Sequence, residues 1–416
     1  MARIMTTYRN KILHVDADSF FASCERAVNP KFWDKPVCVL AKEHGIILAA
    51  TRDAKKFGIK TGMPSWEAEK LLPKNQAYYV SSNFSLYAKY SERLFAILRE
   101  FSPDVEEYSI DEGFVDVGGL RRMYHTSFVG IARMIQEKVM RELGLPVSIG
   151  VGPTKTLAKM ASDTAKPFGI YEVPRRAIDQ YLDSCALSEV PGFGDNTVAL
   201  LEKAGVKKIT DFLSFSEERV RSLMMKPGVY LWHELSGTPA MPLVLENVLP
   251  KSISRSRTFR ETTNPEHIRM EVVNHLFLCT SKLRRKGLRA KRLFLYAKDS
   301  SFRTVSIEAK DVICHASSSR FSSLLLEPFL EKIAGMRIRA IGAVFSECQK
   351  DTSTQLSFFV EDAVTQIQET LFHAVDKVND KFGRYTVRPG VLAGKRFAQR
   401  VVGVSNLQMV GLGLAV

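Results

Sequence analysis

The sequence predicts a multidomain α+β protein, on three observations: the length, a β-α-β-β-α-β succession in the C-terminal half, and carboxylates at strand ends in the N-terminal half. At 416 residues the chain exceeds what one hydrophobic core normally serves. Hydrophobic residues make up 45% and charged residues 25%, the balance of an ordinary soluble protein. No basic start followed by a long apolar core stands near the N-terminus, because Asp16 and Asp18 cut the first apolar run. We expect neither export nor a membrane span, and hence a cytoplasmic protein. The six cysteines are scattered without a Cys-x-x-Cys pair, which argues for buried, reduced thiols and against a zinc site.

The C-terminal half is read first. Residues 252–260 and 336–346 alternate as strands, as do 291–298 and 303–310, while 265–285 and 320–334 carry helical spacing. Residues 251–350 hold 20 Lys and Arg against 9 Asp and Glu, which is most of the chain's formal charge of +14. A scattered excess would read as a solvated face; concentration in one segment favours a polyanion such as nucleic acid. Residues two apart on a strand share a face, so Arg255 and Arg257 point the same way, as do Arg337 and Arg339. With the first and last strands as neighbours in the centre of the sheet, one open face is expected to carry guanidinium groups that grip phosphates without reading sequence. Lys282, Arg284, Arg285, Lys286, Arg289, Lys291 and Arg292 form a second basic cluster, some of it plainly solvated.

Upstream, Val190-Pro191-Gly192-Phe193-Gly194 precedes a helix that Asp195 is placed to cap. A hairpin carrying Gly192 and Gly194 presents backbone N–H groups suited to a phosphate, although Pro-Gly before a helix is more often a plain turn.

The chemistry lies in the N-terminal half. Residues 11–17 read as a strand that delivers Asp16 and Asp18 at its end, and two further strands flank Ser109-Ile110-Asp111-Glu112. An isolated Asp-Glu in a turn is usually solvated. Several carboxylates at one place instead suit a hard cation such as Mg²⁺, which binds through one or two carboxylates plus substrate phosphates. Adjacent strand residues face opposite ways, so Asp111 and Glu112 serve one site only if the backbone turns there.

Taken in order, these segments resemble the motifs of Y-family DNA polymerases. Asp16-Ala17-Asp18-Ser19-Phe20-Phe21-Ala22 is followed by Lys55-Lys56-Phe57-Gly58-Ile59-Lys60-Thr61-Gly62-Met63-Pro64, and then by Tyr108-Ser109-Ile110-Asp111-Glu112. Ser148-Ile149-Gly150-Val151-Gly152, Lys155, Ala158-Lys159 and Ala165-Lys166-Pro167-Phe168-Gly169 continue the series. The resemblance implies a right-hand polymerase: palm at 1–24 and 80–170, fingers at 25–79 and a helix-hairpin-helix thumb at 171–240. A linker at 241–251 would join these to a little-finger DNA-binding domain at 252–347, with a C-terminal tail at 348–416. It also implies template-directed, damage-tolerant synthesis from dNTPs on primer-template DNA, with two Mg²⁺ ions, replaceable by Mn²⁺, and no proofreading.

Roles follow by position. The resemblance places Asp16 and Asp111 on both metals, Glu112 on the metal at the primer end and the Ala17 carbonyl on the nucleotide-side metal. Phe20 and Phe21 would meet the incoming nucleotide, with Phe21 as the steric gate under the sugar, and Lys166 would contact the triphosphate. Where the family commonly has Tyr and Arg, this chain has Arg52 and Lys55, and Lys lacks the planar fork of Arg. Gln355-Leu356-Ser357-Phe358-Phe359 resembles the peptide by which bacterial polymerases dock on the sliding clamp, with Gln355, Leu356, Phe358 and Phe359 as anchors. Residues 361–382 then carry helical spacing. A monomer is expected. A nucleotidyl cyclase would explain the paired carboxylates but not the basic segment; a non-catalytic or partner-activated clamp-associated protein would explain the reverse.

Overall fold

The computed structural model describes residues 5–6, 11–41, 45–245, 249–315, 318–350, 361–383 and 385–392. It divides into two compact units, Met1–Asn247 and Val248–Val416, within the 241–251 stretch expected as a linker. No helix among the described residues is long and apolar enough to cross a membrane. Of the five described cysteines, all free, Cys24, Cys38 and Cys279 are buried.

The first unit is built on a five-stranded sheet. Strand Ile12–Ala17 is its centre, every residue buried, because it is covered on both faces and therefore reads as a continuous apolar run broken only by His14 and Asp16. Glu112–Asp116 and Val147–Gly152 pair with it antiparallel on either side. Val105–Glu107 and Ile170–Glu172 form the edges. Helices Phe84–Phe101 and Phe128–Leu143 contribute Leu94, Leu98, Ile131 and Ile135 to one core with the sheet. Helix Lys155–Ala165 lies so close to the neighbouring strand that a Cβ on Gly150 would stand 1.9 Å from the Ala158 carbonyl oxygen, which is why glycine occupies that position.

A three-stranded sheet, in the order Ile47–Ala50, Val37–Leu40, Tyr78–Ser81, packs with helix Ser65–Leu71 around a small core of its own. Residues 178–235 form a helical region whose core takes in Leu157, Met160 and Ala161 from helix Lys155–Ala165. In the glycine hairpin, Gly192 takes a φ of +98°, which a side chain would strain. Gly194, not Asp195, caps the following helix, Asp195–Lys203; Asp195 is its first residue, where its charge suits the positive end of the dipole.

The second unit is a four-stranded antiparallel sheet in the order Ser252–Thr262, Ile338–Lys350, Leu288–Asp299, Thr304–His315, with helices Pro265–Arg285 and Ser318–Lys332. This is the expected succession, and its first and last strands are neighbours. They are not both central, however: Ser252–Thr262 stands at an edge, because Leu288–Asp299 pairs with the other side of Ile338–Lys350.

The expected arginine face is also corrected. Ile253, Arg255 and Arg257 pair with Phe345, Ala343 and Ile341, so the two arginines lie on the face that carries the core. Arg257 Nη1 accordingly donates to Glu271 Oε1 of helix Pro265–Arg285 at 2.8 Å. Arg337 precedes its strand and pairs with Glu261 at 3.2 Å, and Arg339 lies over the Phe302 ring at 5.2 Å. The opposite face presents Ser254, Ser256, Thr258, Phe294, Tyr296 and Lys298.

Helix Glu361–Phe382 returns onto helix Pro265–Arg285. Arg284 donates from Nε to Asp376 Oδ2 at 2.7 Å and Ser281 Oγ to Asp376 Oδ1 at 2.8 Å, both pairs buried. Tyr385 donates to Asn274 Oδ1, the Asn379 side chain holds the Val387 backbone from both sides, and Leu392 is fully buried. The docking peptide expected at 355–359 lies outside the described residues.

Candidate active site

Sheet register assembles the carboxylates. Asp16 is directly opposite Glu112 on one neighbouring strand and Ser148 on the other. Asp111 precedes the strand: the amides of Tyr108 and Ser109 both donate to the Glu112 carbonyl, closing a tight turn over Ser109–Asp111. The Ala17 amide donates to the Asp111 carbonyl at 2.9 Å. The backbone thus turns where the sequence required it to, and Asp111 and Glu112 can serve one site.

Helix Lys155–Ala165 supplies the opposite charge. Lys159, Asp163 and Lys166 follow one another at helical spacing and therefore face the same way. Lys159 Nζ pairs with Glu112 Oε2, and Lys166 Nζ donates to Asp16 Oδ2 at 2.9 Å and to Asp163 Oδ1 at 2.7 Å. His14, fully buried two residues before Asp16 on the same strand face, brings Nε2 to 3.2 Å from Glu112 Oε2, while its Nδ1 meets the Ser162 hydroxyl at 2.7 Å.

Burial pushes the Asp16 carboxyl up to about 6, with Glu112 and Asp111 adding to the rise and Lys166 opposing it. Asp111 is raised as well, chiefly by burial. Burial would also raise Glu112, but His14 and the Lys159 ammonium beside it outweigh it and hold the group at about 2. Burial lowers His14, so near neutrality its imidazole is uncharged and Lys159 supplies the charge facing Glu112. Burial disfavours the Lys166 cation, yet Asp16 and Asp163 more than compensate and raise it.

Converging carboxylates, two of them raised by crowding and burial, fit a divalent cation. His14, Asp16 and Glu112 bring ligand atoms within 4.8 Å of one another, and the ammonium groups of Lys159 and Lys166 neutralise this cluster. The donor set is hard oxygen, as Mg²⁺ prefers, while the imidazole points sideways to Ser162 and Glu112. Asp18 is turned away from this cluster: it accepts from Ser148 Oγ and from the Phe168 amide, fixing the loop that follows Lys166.

Phe21 is half-buried and stacks on Tyr87 at 4.4 Å with an interplanar angle of 17°, while Phe84 meets it edge-on. Its ring is held but still exposed on one side. Phe20 is 3% exposed and belongs to the core, so its side chain is unavailable to a substrate; only its backbone can serve the expected nucleotide contact. Arg52 and Lys55 are exposed on the short helix Arg52–Lys55.

With this geometry in view, the likenesses to known proteins are specific. The impB/mucB/samB family matches residues 15–163, and its C-terminal domain matches residues 250–358. DNA polymerase IV of Acetivibrio thermocellus is 31% identical over 398 residues, covering 94% of this chain and 99% of that protein. DNA polymerase IV 1 of Bacillus subtilis is 30% identical over 402 residues, covering 92% and 93%. A solved Y-family DNA polymerase chimera of Dbh and Dpo4 covers 82% of this chain and 99% of its own, with a TM-score of 0.69 at 25% identity. The chain belongs to the Y family of DNA polymerases, right-hand enzymes that combine palm, fingers and thumb with an additional DNA-binding domain. Within that family it is DNA polymerase IV-like, a DNA-directed DNA polymerase.

Proposed function

We propose that this protein carries out translesion synthesis, adding dNTPs to a primer 3′ end on damaged template by two-metal nucleotidyl transfer without proofreading. The observation that carries this reading is the convergence of Asp16 and Glu112 at one sheet end beside Lys159 and Lys166, with Asp111 on the adjoining turn. Asp16, Asp111, Glu112 and the Ala17 carbonyl would hold Mg²⁺. When bound, the ions lower the pKa of the primer hydroxyl and offset charge on the leaving pyrophosphate.

The protein's own part is positioning and charge. Lys166, Arg52 and Lys55 are cations for the triphosphate, and the Phe21 ring, braced by Tyr87, excludes a 2′-hydroxyl. Gly192 and Gly194 offer backbone N–H groups to the DNA backbone. The little-finger arginines contribute at the rim of their sheet, while Lys298, Tyr296 and the hydroxyls of its open face stand ready for phosphates. The peptide at 355–359 docks the bacterial sliding clamp, and the enzyme acts in the cytoplasm as a monomer.

The solved neighbours include an insertion ternary complex and a post-insertion binary complex of Dbh DNA polymerase. The test is extension of a labelled primer on intact and abasic templates with Mg²⁺ and each dNTP in turn. Extension that continues at the lesion is expected. Tight primer-template binding with no extension would favour the non-catalytic reading.

A further inference from the structure

Glu234 lies near the end of the thumb segment Glu217–Leu235, two helical stretches broken at Met225, where φ is +57°, and is fully buried. Its Oε2 accepts from the Thr156 amide at 3.0 Å, in the first turn of helix Lys155–Ala165. Its Oε1 accepts from the amides of Ala240 and Met241 at 2.8 and 2.9 Å, and its own carbonyl accepts from the Thr154 hydroxyl, the N-cap of the same helix, at 2.8 Å. One residue of the thumb therefore occupies the N-terminus of the palm helix, where a carboxylate also suits the positive end of the dipole. That helix delivers Lys159 to Glu112, Ser162 to His14 and, at its C-terminal end, Lys166 to Asp16. Its other face, with Leu157, Met160 and Ala161, is buried in the thumb core, so it has little freedom to move independently of the thumb. Next to this junction Glu106 pairs with Lys155 and accepts from the Val244 amide at 3.0 Å, fixing the chain that leaves the thumb.

We infer that Glu234 is a positioning residue for nucleotidyl transfer, setting the axial placement of the helix that aims Lys159 and Lys166 at the catalytic carboxylates. It acts through that helix and touches neither DNA nor nucleotide. The inference rests on the polymerase reading above.

The test compares Glu234→Gln and Glu234→Ala with Leu182→Ala, a thumb-core truncation that removes none of these hydrogen bonds, by single-nucleotide insertion kinetics, primer-template affinity and Tm. The Glu234 variants should lose about tenfold or more in kcat/KM for dNTP while primer-template Kd stays within about threefold, and Gln should fall between Ala and Glu. Leu182→Ala, with a comparable or larger Tm loss, should keep kcat/KM within about threefold. A loss that tracks Tm equally in all three variants, or a folded Glu234→Gln with unchanged kinetics, would overturn the positioning role alone. A wild-type chain that extends no primer would overturn the polymerase reading and this role with it.

Discussion

Charge is arranged in opposite ways in the two units. At the sheet end of the first, register sets Asp16 opposite Glu112, the preceding turn holds Asp111 against Ala17, and one helix brings Lys159 to Glu112 and Lys166 to Asp16. In the second, the cations are dispersed: Arg257 binds Glu271 on the helix-bearing face, Arg337 binds Glu261, and Arg339 rests on Phe302. The first arrangement concentrates electrostatic cost at one point, as the proposed reaction needs; the second spreads charge, as the proposed hold on a long polyanion allows.

The largest effect expected from breaking this contrast is at Asp111. Asp111→Ala should lower metal-dependent primer extension by on the order of 10³-fold while DNA affinity, measured by anisotropy, stays near wild type. Next comes Phe21→Ala, which should raise ribonucleotide insertion relative to dNTP by roughly 10–200-fold, the range for a shape clash in an apolar pocket; an unchanged sugar preference would place the gate elsewhere.

Asp16 gives a pH test with a definite sign. Its folded pKa, about 6, lies above the unfolded value, so the folded state retains a proton that the unfolded chain has lost. Stability therefore declines as pH rises from the ordinary carboxylate range to about 6 and stays reduced above it. Asp16→Asn should then raise the metal-free Tm at pH 7 but not at pH 4, while abolishing extension; a lower Tm at pH 7 would contradict the cost assigned to this charge.

The smallest effects should come from the second unit. Arg257→Ala should cost roughly 1–3 kcal/mol of its stability, since the guanidinium is partly solvated but its partner Glu271 is fully buried, and change DNA affinity less than about threefold. Lys298→Ala, on the open face, should weaken DNA binding and flatten its salt dependence by about one phosphate contact. The reverse ranking would restore the arginines as the principal grip.

These contrasts also show where the sequence was readable. The carboxylates were legible because strand ends and an ordered motif series fix their positions. Lys159 and His14 lay within segments already noted, yet their partnership with Glu112 went unread. The period-two spacing of His14 and Asp16, and the helical spacing of Lys159 and Lys166, would have revealed it. The arginine error has the same origin: Ile253 and Phe259 share parity with Arg255 and Arg257, so the apolar pattern already assigned these arginines to the core face. Strand order was legible only in part: the first and last strands are neighbours as expected, but β-α-β-β-α-β spacing does not say which strand stands at the edge. Glu234 could not be read at all, since its partners, the Thr154 hydroxyl and the Thr156 amide, are distant in sequence.

The buried pair of Arg284 and Asp376 bears on how this enzyme can be recombined. A second unit cut from the chain after its last strand would leave the Arg284 guanidinium, 1% exposed in its side chain, without its carboxylate, and would uncover the surface around Asn274 and Ser281. Grafting this unit onto another polymerase core thus requires residues 361–392 to travel with it, so the transferable unit is longer than the family domain it contains.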